Sequence, residues 1–370
     1  MTILIITKEH KTRVRLSFLL QKMDLTEVEY FETVDQAKWA LSNYKKKKLK
    51  LILFDETCTE SNKEDFYGRI SALHEWCKVP ILLITAHIKH EFIVRAFYTG
   101  IFDFVLKPID PTYFQTRVHI ALKFNQESSQ RRTQEDNLKK DLQIAKNVQK
   151  SALTPSLHLD HIQLDGFYLT SNTLGGDMYC WFQVSEHQTA VILYDVMGHG
   201  VAASLITMSI RSLLRGMMMK LVDPELVIQE LNSHIHELLK DDIVEQYLVT
   251  AIYLVIDTKE KKISYVNAGL PAGFMMNEDG DLQRLTSNTL ILGFLPQMVI
   301  QQQEIAYTGR QRIILYTDGL QQGNEPLQST HFNNYLAGAN DEDLIRYVTD
   351  RNLHELSHKD DITMIFITLP

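Results

Sequence analysis

Five short and almost wholly apolar runs constrain the fold more than any other feature of the sequence: residues 3–6, 28–31, 51–54, 81–84 and 104–106. Solid apolar runs suit strands that are buried on both faces, and here each pair is separated by an amphipathic stretch of helical length. That alternation predicts a parallel five-stranded sheet with helices on both sides, so residues 1–122 are expected to form a doubly wound α/β domain. In such folds the chemistry gathers beyond the carboxyl ends of the strands, where Asp55, Thr85 and Lys107 stand.

The rhythm then changes. Residues 123–155 are polar and helix-favouring, and Leu138, Leu142, Ala145 and Val148 recur at helical spacing until Pro155 stops the helix. A helical linker is expected, its narrow stripe either pairing with a second copy as a short coiled coil, which would make a homodimer, or packing on its own domains. Residues 156–370 carry strand candidates at 189–196, 247–256, 263–266, 312–316 and 362–367. Hairpin signals at Asp257-Thr258-Lys259-Glu260-Lys261 and Asn277-Glu278-Asp279-Gly280 make these sheets antiparallel. With helices at 201–219 and 224–239, the expected third part is a layered α+β sandwich, and the whole chain is multidomain.

Composition excludes several classes of function. At 370 residues, 45% hydrophobic and 23% charged, the chain has the make-up of a globular protein. A net charge of −8 argues against nucleic acid as a partner, and the basic run Lys45, Lys46, Lys47, Lys48 and Lys50 reads as a solvated loop. Cys58, Cys77 and Cys180 are widely spaced and odd in number, as expected for reduced cytosolic thiols. No run is long enough for a signal peptide or a membrane span, so a cytoplasmic protein without a membrane partner is expected. The scattered histidines, His234 and His236 among them, form no zinc spacing.

Four aspartates share one kind of placement, at a strand end or in a tight turn: Asp177 in Gly175-Gly176-Asp177, Asp195 in Asp195-Val196-Met197-Gly198-His199-Gly200, Asp318 in Thr317-Asp318-Gly319, and Asp360 in Asp360-Asp361-Ile362. Singly, each is accounted for by the turn-stabilising hydrogen bonds of aspartate. Jointly, strand ends that converge would gather carboxylates, which repel one another unless hard cations neutralise them.

These motifs, in this order and together with Thr250-Ala251-Ile252-Tyr253, Asn267-Ala268-Gly269 and Leu292-Gly293, resemble the SpoIIE and RsbU-like branch of the PPM-type metal-dependent protein phosphatases. The resemblance implies two Mn2+ or Mg2+ ions bridged by Asp195, with Asp177 and the backbone carbonyl of Val196 completing one shell and Asp318 with Asp360 the other. Asp361 is the less favoured ligand. It further implies phosphomonoester hydrolysis by water activated between the ions, with Asp195 and Asp318 as the catalytic pair. No Ser/His/Asp arrangement competes with that reading, and His199 is better explained by its turn than as a proton donor. The sequence departs from the family at Cys180, at Leu270 and at Gln321-Gln322, where an acid, a histidine and an acid are usual.

Residues 1–122 resemble response-regulator receivers. Asp55 matches the phosphate-accepting aspartate, Thr85 the switch hydroxyl, and Lys107-Pro108 the lysine and its proline. The acidic pair that holds Mg2+ in receivers is replaced by Thr7-Lys8-Glu9, so a phosphorylatable receiver and a pseudo-receiver, in which Lys8 pairs with Asp55, stay side by side. The family resemblance implies a phosphorylated anti-sigma factor antagonist of the STAS type as substrate and a sensor histidine kinase upstream. The alternative from another class is a non-catalytic adaptor that binds a sigma factor or other partner.

Overall fold

The computed structural model describes residues 2–43, 49–58, 63–87, 89–239, 247–321, 340–354 and 360–370. The basic residues Lys45, Lys46, Lys47 and Lys48, and Gln322, lie outside them. The chain divides into two compact units, Met1–Leu138 and Lys139–Pro370. Among the described residues no helix is long and apolar enough to cross a membrane.

The first unit contains β1 (Thr2–Ile6), α1 (His10–Gln21), β2 (Val28–Phe31), α2 (Val34–Asn43), β3 (Leu49–Asp55), α3 (Lys63–Cys77), β4 (Ile81–Thr85), α4 (His90–Tyr98), β5 (Asp103–Leu106) and the start of α5 (Pro111–Ala152). The strands form a parallel sheet in the order β2-β1-β3-β4-β5. Alternate residues of the same strands feed two cores. Ile3, Ile5, Leu51, Leu53 and Ile84 pack with Leu16 and Leu20 of α1 and with Phe114 and Val118 of α5. Leu4, Ile6, Ile52, Phe54 and Leu83 meet Ala37, Phe66, Ile70 and Ala96 on the other face. The doubly wound domain read from the apolar runs is the observed one.

Helix α5 starts where proline is tolerated, with Pro111 in its first turn and the Asp110 carboxylate accepting from the Tyr113 backbone N–H at 2.7 Å. No proline or glycine stands between Thr112 and Thr154, and α5 continues unbroken to Ala152. Of the predicted stripe, Leu138 and Val148 are 59% and 54% exposed, whereas Leu142 and Ala145 are half-buried.

The second unit continues with β6 (Leu157–Leu159), β7 (Ile162–Leu169), β8 (Asp177–Gln183), β9 (Gln188–Val196), α6 (Val201–Leu221), α7 (Pro224–Leu238), β10 (Val249–Asp257), β11 (Lys262–Ala268), β12 (Gly273–Asn277), β13 (Leu282–Leu285), β14 (Gln303–Ala306), β15 (Gln311–Tyr316), α8 (Asp341–His354) and β16 (Ile362–Leu369). Its strands form two antiparallel sheets, in the orders β14-β11-β10-β9-β8 and β13-β12-β15-β16-β7-β6. Trp181, Leu193, Leu254, Ile313 and Ile367 belong to the core between the sheets. Outside the first sheet, α6 and α7 cover Cys180, Ile192, Tyr194 and Tyr253 through Ile210, Leu214, Leu231 and Ile235. Outside the second, Leu344 of α8 covers Ile314, Met364 and Phe366. The result is a four-layer α+β sandwich. The fully buried Tyr194 and Tyr253 hydroxyls donate to the carbonyls of Thr207 and Val222, each at 2.9 Å, which avoids the ~1–3 kcal/mol cost of an orphaned buried hydroxyl. The Met217-Met218-Met219 run is only partly core: Met218 is fully buried, but Met219 is 47% exposed at the end of α6.

Candidate active site

The antiparallel register of β8 and β9 sets Asp177 directly opposite Asp195, at the edge of the first sheet. Like charges in a cross-strand pair destabilise a sheet, so this pairing needs a compensating partner. Asp177 is fully buried, and its carboxylate accepts 2.7 Å hydrogen bonds from both Thr317 Oγ1 and Thr363 Oγ1. Those hydroxyls come from the facing sheet, Thr317 just after β15 and Thr363 within β16, so the acid sits between the two sheets at one end of the sandwich.

Burial, followed by the charge of Asp195, pushes the Asp177 carboxyl well above the usual carboxylate range, against the pull of the two threonines. Burial also raises Asp195, with the charges of Asp318, Asp360 and Asp361 adding to it and a hydrogen bond from Asp177 opposing, to about 7. The structure thus brings Asp177, Asp195, Asp318 and Asp360 into one electrostatic neighbourhood. Asp318 opens a short 3-10 turn after β15 and is exposed, while Asp360 precedes β16 and is half-buried.

The backbone is equally crowded. A Cβ on Gly176 would come within 2.5 Å of the Val196 carbonyl oxygen and 2.8 Å of that of Gly198, so only glycine lets the two segments meet here. Gly198 and Gly200 take positive φ of 90° and 87°, and they turn the chain from β9 into α6. His199 lies between them, its Nδ1 2.9 Å from Asn172 Nδ2. Asp361 also braces the loop: its carboxylate accepts from Ser171 N at 2.7 Å, Ser171 Oγ at 3.0 Å and Gly176 N at 2.6 Å. Gly319 packs its backbone against the Asp361 carbonyl, tying the Asp318 turn to the start of β16.

Among the described residues no three acidic, imidazole or thiol side chains converge into a ready-made cation cage. The chemistry of the donors nonetheless fits hard divalent cations: carboxylates and a backbone carbonyl, mutually repelling and partly desolvated, with the orphaned Tyr168 hydroxyl close by. Cys180 points into the helix-side core, where burial raises its thiol to about 12, and Leu270 is buried between the sheets. Thr317 and Thr363 were not singled out from the sequence. Their only signal was adjacency, Thr317 to Asp318 and Thr363 to the Asp360-Asp361 pair.

In the first unit Asp55 ends β3 fully buried, Thr85 ends β4, and Lys107 follows β5. Lys107 Nζ reaches both Asp55 oxygens, at 3.1 and 3.0 Å, and Glu9 at 2.7 Å. Burial alone would lower the Lys107 ammonium, but the Glu9 and Asp55 carboxylates outweigh it and hold it above its ordinary value. The same contact holds Glu9 below its own. Thr7 donates to Asp55 at 2.9 Å, and the Thr57 N–H at 3.1 Å. A cation against Asp55 is therefore Lys107. Thr85 turns instead to Glu56, whose carboxylate takes the Thr85 hydroxyl and, at 2.7 Å, the Ala86 N–H.

Comparison with known proteins agrees with both halves. The family described as Stage II sporulation protein E (SpoIIE) matches residues 185–370, and the response regulator receiver domain matches residues 3–119. The chain is 36% identical over 184 residues to the phosphoserine phosphatase RsbP of Bacillus subtilis, covering 50% of this chain and 46% of the relative. It is 24% identical over 260 residues to the protein IcfG of Synechocystis, covering 61% and 41%. The chain thus spans less than half the length of either relative. Among solved structures, the SiaA-PP2C domain of Pseudomonas aeruginosa superposes with a TM-score of 0.52 at 17% identity, over 64% of this chain and 98% of that one, which shows a shared fold. With a match over half its length and a receiver domain ahead of it, the chain belongs to the SpoIIE family.

Proposed function

We propose that the second unit is a divalent-metal-dependent protein serine/threonine phosphatase and that the receiver domain is its regulatory input. The observation that carries this reading is the Asp177–Asp195 pair, the first fully buried and the second half-buried, held face to face at a cost in stability with three more acids, Asp318, Asp360 and Asp361, close enough to act on it. An adaptor has no use for carboxylates that repel one another. In this reading Asp177, Asp195, the Val196 carbonyl, Asp318 and Asp360 would be the groups that hold divalent ions, Mn2+ or Mg2+. When bound, such ions neutralise charge on the phosphoryl group and acidify water for in-line attack. The chain's own contribution is to hold the ligands. Thr317 and Thr363 aim Asp177, and the turn at Gly198 and Gly200 leaves room for a phosphoryl group beside Asp195.

The relative RsbP is named a phosphoserine phosphatase, which supports the same reaction class here. The proposed substrate is a phosphorylated anti-sigma factor antagonist of the STAS type, as the family resemblance implies. Purified protein is expected to hydrolyse p-nitrophenyl phosphate only with Mn2+ or Mg2+, and Asp195→Ala to lose the activity. Wild-type protein that folds, binds Mn2+ and hydrolyses neither this ester nor a phosphoserine protein would leave the adaptor reading in its place.

For the receiver domain, we propose Asp55 as the residue through which a sensor kinase would act. The contacts around it bear on how readily it does so. Thr7 and Lys107 already occupy its carboxylate, and Glu9, the acid remaining from the usual pair, is engaged by Lys107. Phosphorylation is therefore expected to be at least ~10-fold slower than in a receiver with an intact Mg2+-binding pair. Labelling with acetyl phosphate and Mg2+ tests this: modification that survives Asp55→Ala would remove Asp55 from the scheme.

A further inference from the structure

Gln149 is 2% exposed, although it lies between exposed Val148 and Lys150 near the end of a polar helix. Its side-chain amide pairs with the backbone of a single residue. Nε2 donates to the Gly175 carbonyl at 2.7 Å, and Oε1 accepts the Gly175 N–H at 3.1 Å. Gly175 cannot shift to find other partners, because even a Cβ there would meet Asp361 Oδ2 at 2.7 Å and the Tyr168 hydroxyl at 2.8 Å. Without Gln149, a buried donor and a buried acceptor would both be orphaned.

The residue that follows is held from two other sides. The Gly176 N–H donates to Asp361 Oδ2 at 2.6 Å, and the Gly176 carbonyl accepts from Thr207 Oγ1 of α6 at 2.6 Å. Asp177 comes next, and the Val196 carbonyl lies against Gly176. The turn that presents one proposed half of the metal shell is thus clamped from α5, from α6 and from the start of β16. The α5 clamp is the one whose helix continues into the receiver unit. Arg211 Nε, which donates to the Ala152 carbonyl at 2.8 Å, fixes the end of that helix in the second unit.

We propose that Gln149 is a positioning residue, which fixes the turn of residues 175–177 and thereby sets the divalent-cation affinity of the site. The inference rests on the metal-site reading above, and its test separates the two. Gln149→Met keeps the shape of the side chain and removes both hydrogen bonds. Gln149→Glu keeps the acceptor for Gly175 N–H and loses the donor to its carbonyl, and it serves as the second variant if the first does not fold. Three quantities are measured on the full chain: Mn2+ affinity by calorimetry, hydrogen exchange of the Gly175 and Gly176 amides without metal, and hydrolysis as a function of Mn2+ concentration.

Gln149→Met is expected to bind Mn2+ about 10- to 100-fold more weakly, as other outer-shell partners of metal ligands do. It should exchange both amides at least ~10-fold faster, and it should recover activity at saturating Mn2+. Gln149→Glu should fall between it and wild type. Either folded variant with Mn2+ affinity within about twofold of wild type and unchanged exchange would overturn the proposal. If wild-type protein neither binds Mn2+ nor hydrolyses phosphoesters, the phosphatase reading has failed, and the exchange rates alone then decide whether Gln149 holds the turn.

Discussion

Replacing Asp195 with asparagine is expected to stabilise the metal-free protein at pH 8 by ~2 kcal/mol, while lowering Mn2+-dependent hydrolysis by at least ~1000-fold. Both effects have one cause. Without cations the carboxylate faces Asp177 across two strands and is raised by burial and by Asp318, Asp360 and Asp361, so ionising it costs folding free energy. A carboxyl raised in the folded state contributes stability that is fully present below the unfolded value of about 4 and is lost as pH rises through the folded value of about 7. In chelator, wild-type protein should therefore lose stability between about pH 4 and 7, and Asp195→Asn should lack most of that loss. Asparagine keeps the shape and can still hydrogen-bond Asp177, but it cannot bridge two cations. Added Mn2+ should then reverse the order, raising the melting temperature of wild type and leaving the variant nearly unmoved. Denaturation curves in EDTA across this pH range provide the check, and parallel curves for the two proteins would refute the account.

Lys107→Met should cost the receiver unit ~3 kcal/mol, because it leaves the fully buried Asp55 without its cation. Thr7 and the Thr57 N–H would still donate to Asp55, and this keeps the loss from being larger. The reverse substitution is milder. Asp55→Asn removes the buried charge and leaves Lys107, which is less deeply buried, paired with Glu9. The double variant should accordingly regain at least half of what Lys107→Met loses. Hydrogen exchange of the β3 and β4 amides in the full chain, followed through a urea series, reports this unit separately. A loss below ~1 kcal/mol for the single variant, or no recovery in the double, would show that the ion pair is not what holds this end of the sheet.

Much of the architecture was legible because burial on both faces writes itself as unbroken apolar runs. The five strands of the receiver sheet lie within two residues of their sequence positions, as do β9, β10, β11, β15 and β16. Of the strands that escaped notice, β13 and β14 are four residues long and half polar, so nothing in their pattern separates them from loops, whereas β7 and β8 run to eight and seven residues and β8 is mostly buried. The site was legible to a different depth. Strand-end aspartates can be found by position, but what holds them cannot. Thr317 and Thr363 look like ordinary sheet residues until two sheets face each other, and Glu56 declares no interest in Thr85. Periodicity drew attention to Leu138, Leu142, Ala145 and Val148, yet the deeply buried side chain near the end of α5 is Gln149. A method that counts apolar residues cannot see an amide whose partner is a glycine backbone 26 positions away.

The pairing of β8 with β9 gives the acidic pair an unexpected dependence on grease. Tyr179 and Trp181 share the face of Asp177 and fill the gap between the sheets, while Met178 and Cys180 fill the gap beneath the helices. A slide of a single residue would exchange those two sets, thrusting indole and phenol toward α6 and separating the acids in the same movement. Aromatic bulk thus acts as the ruler for the carboxylates, and enlarging or shrinking Trp181 would disturb the spacing of groups it never touches.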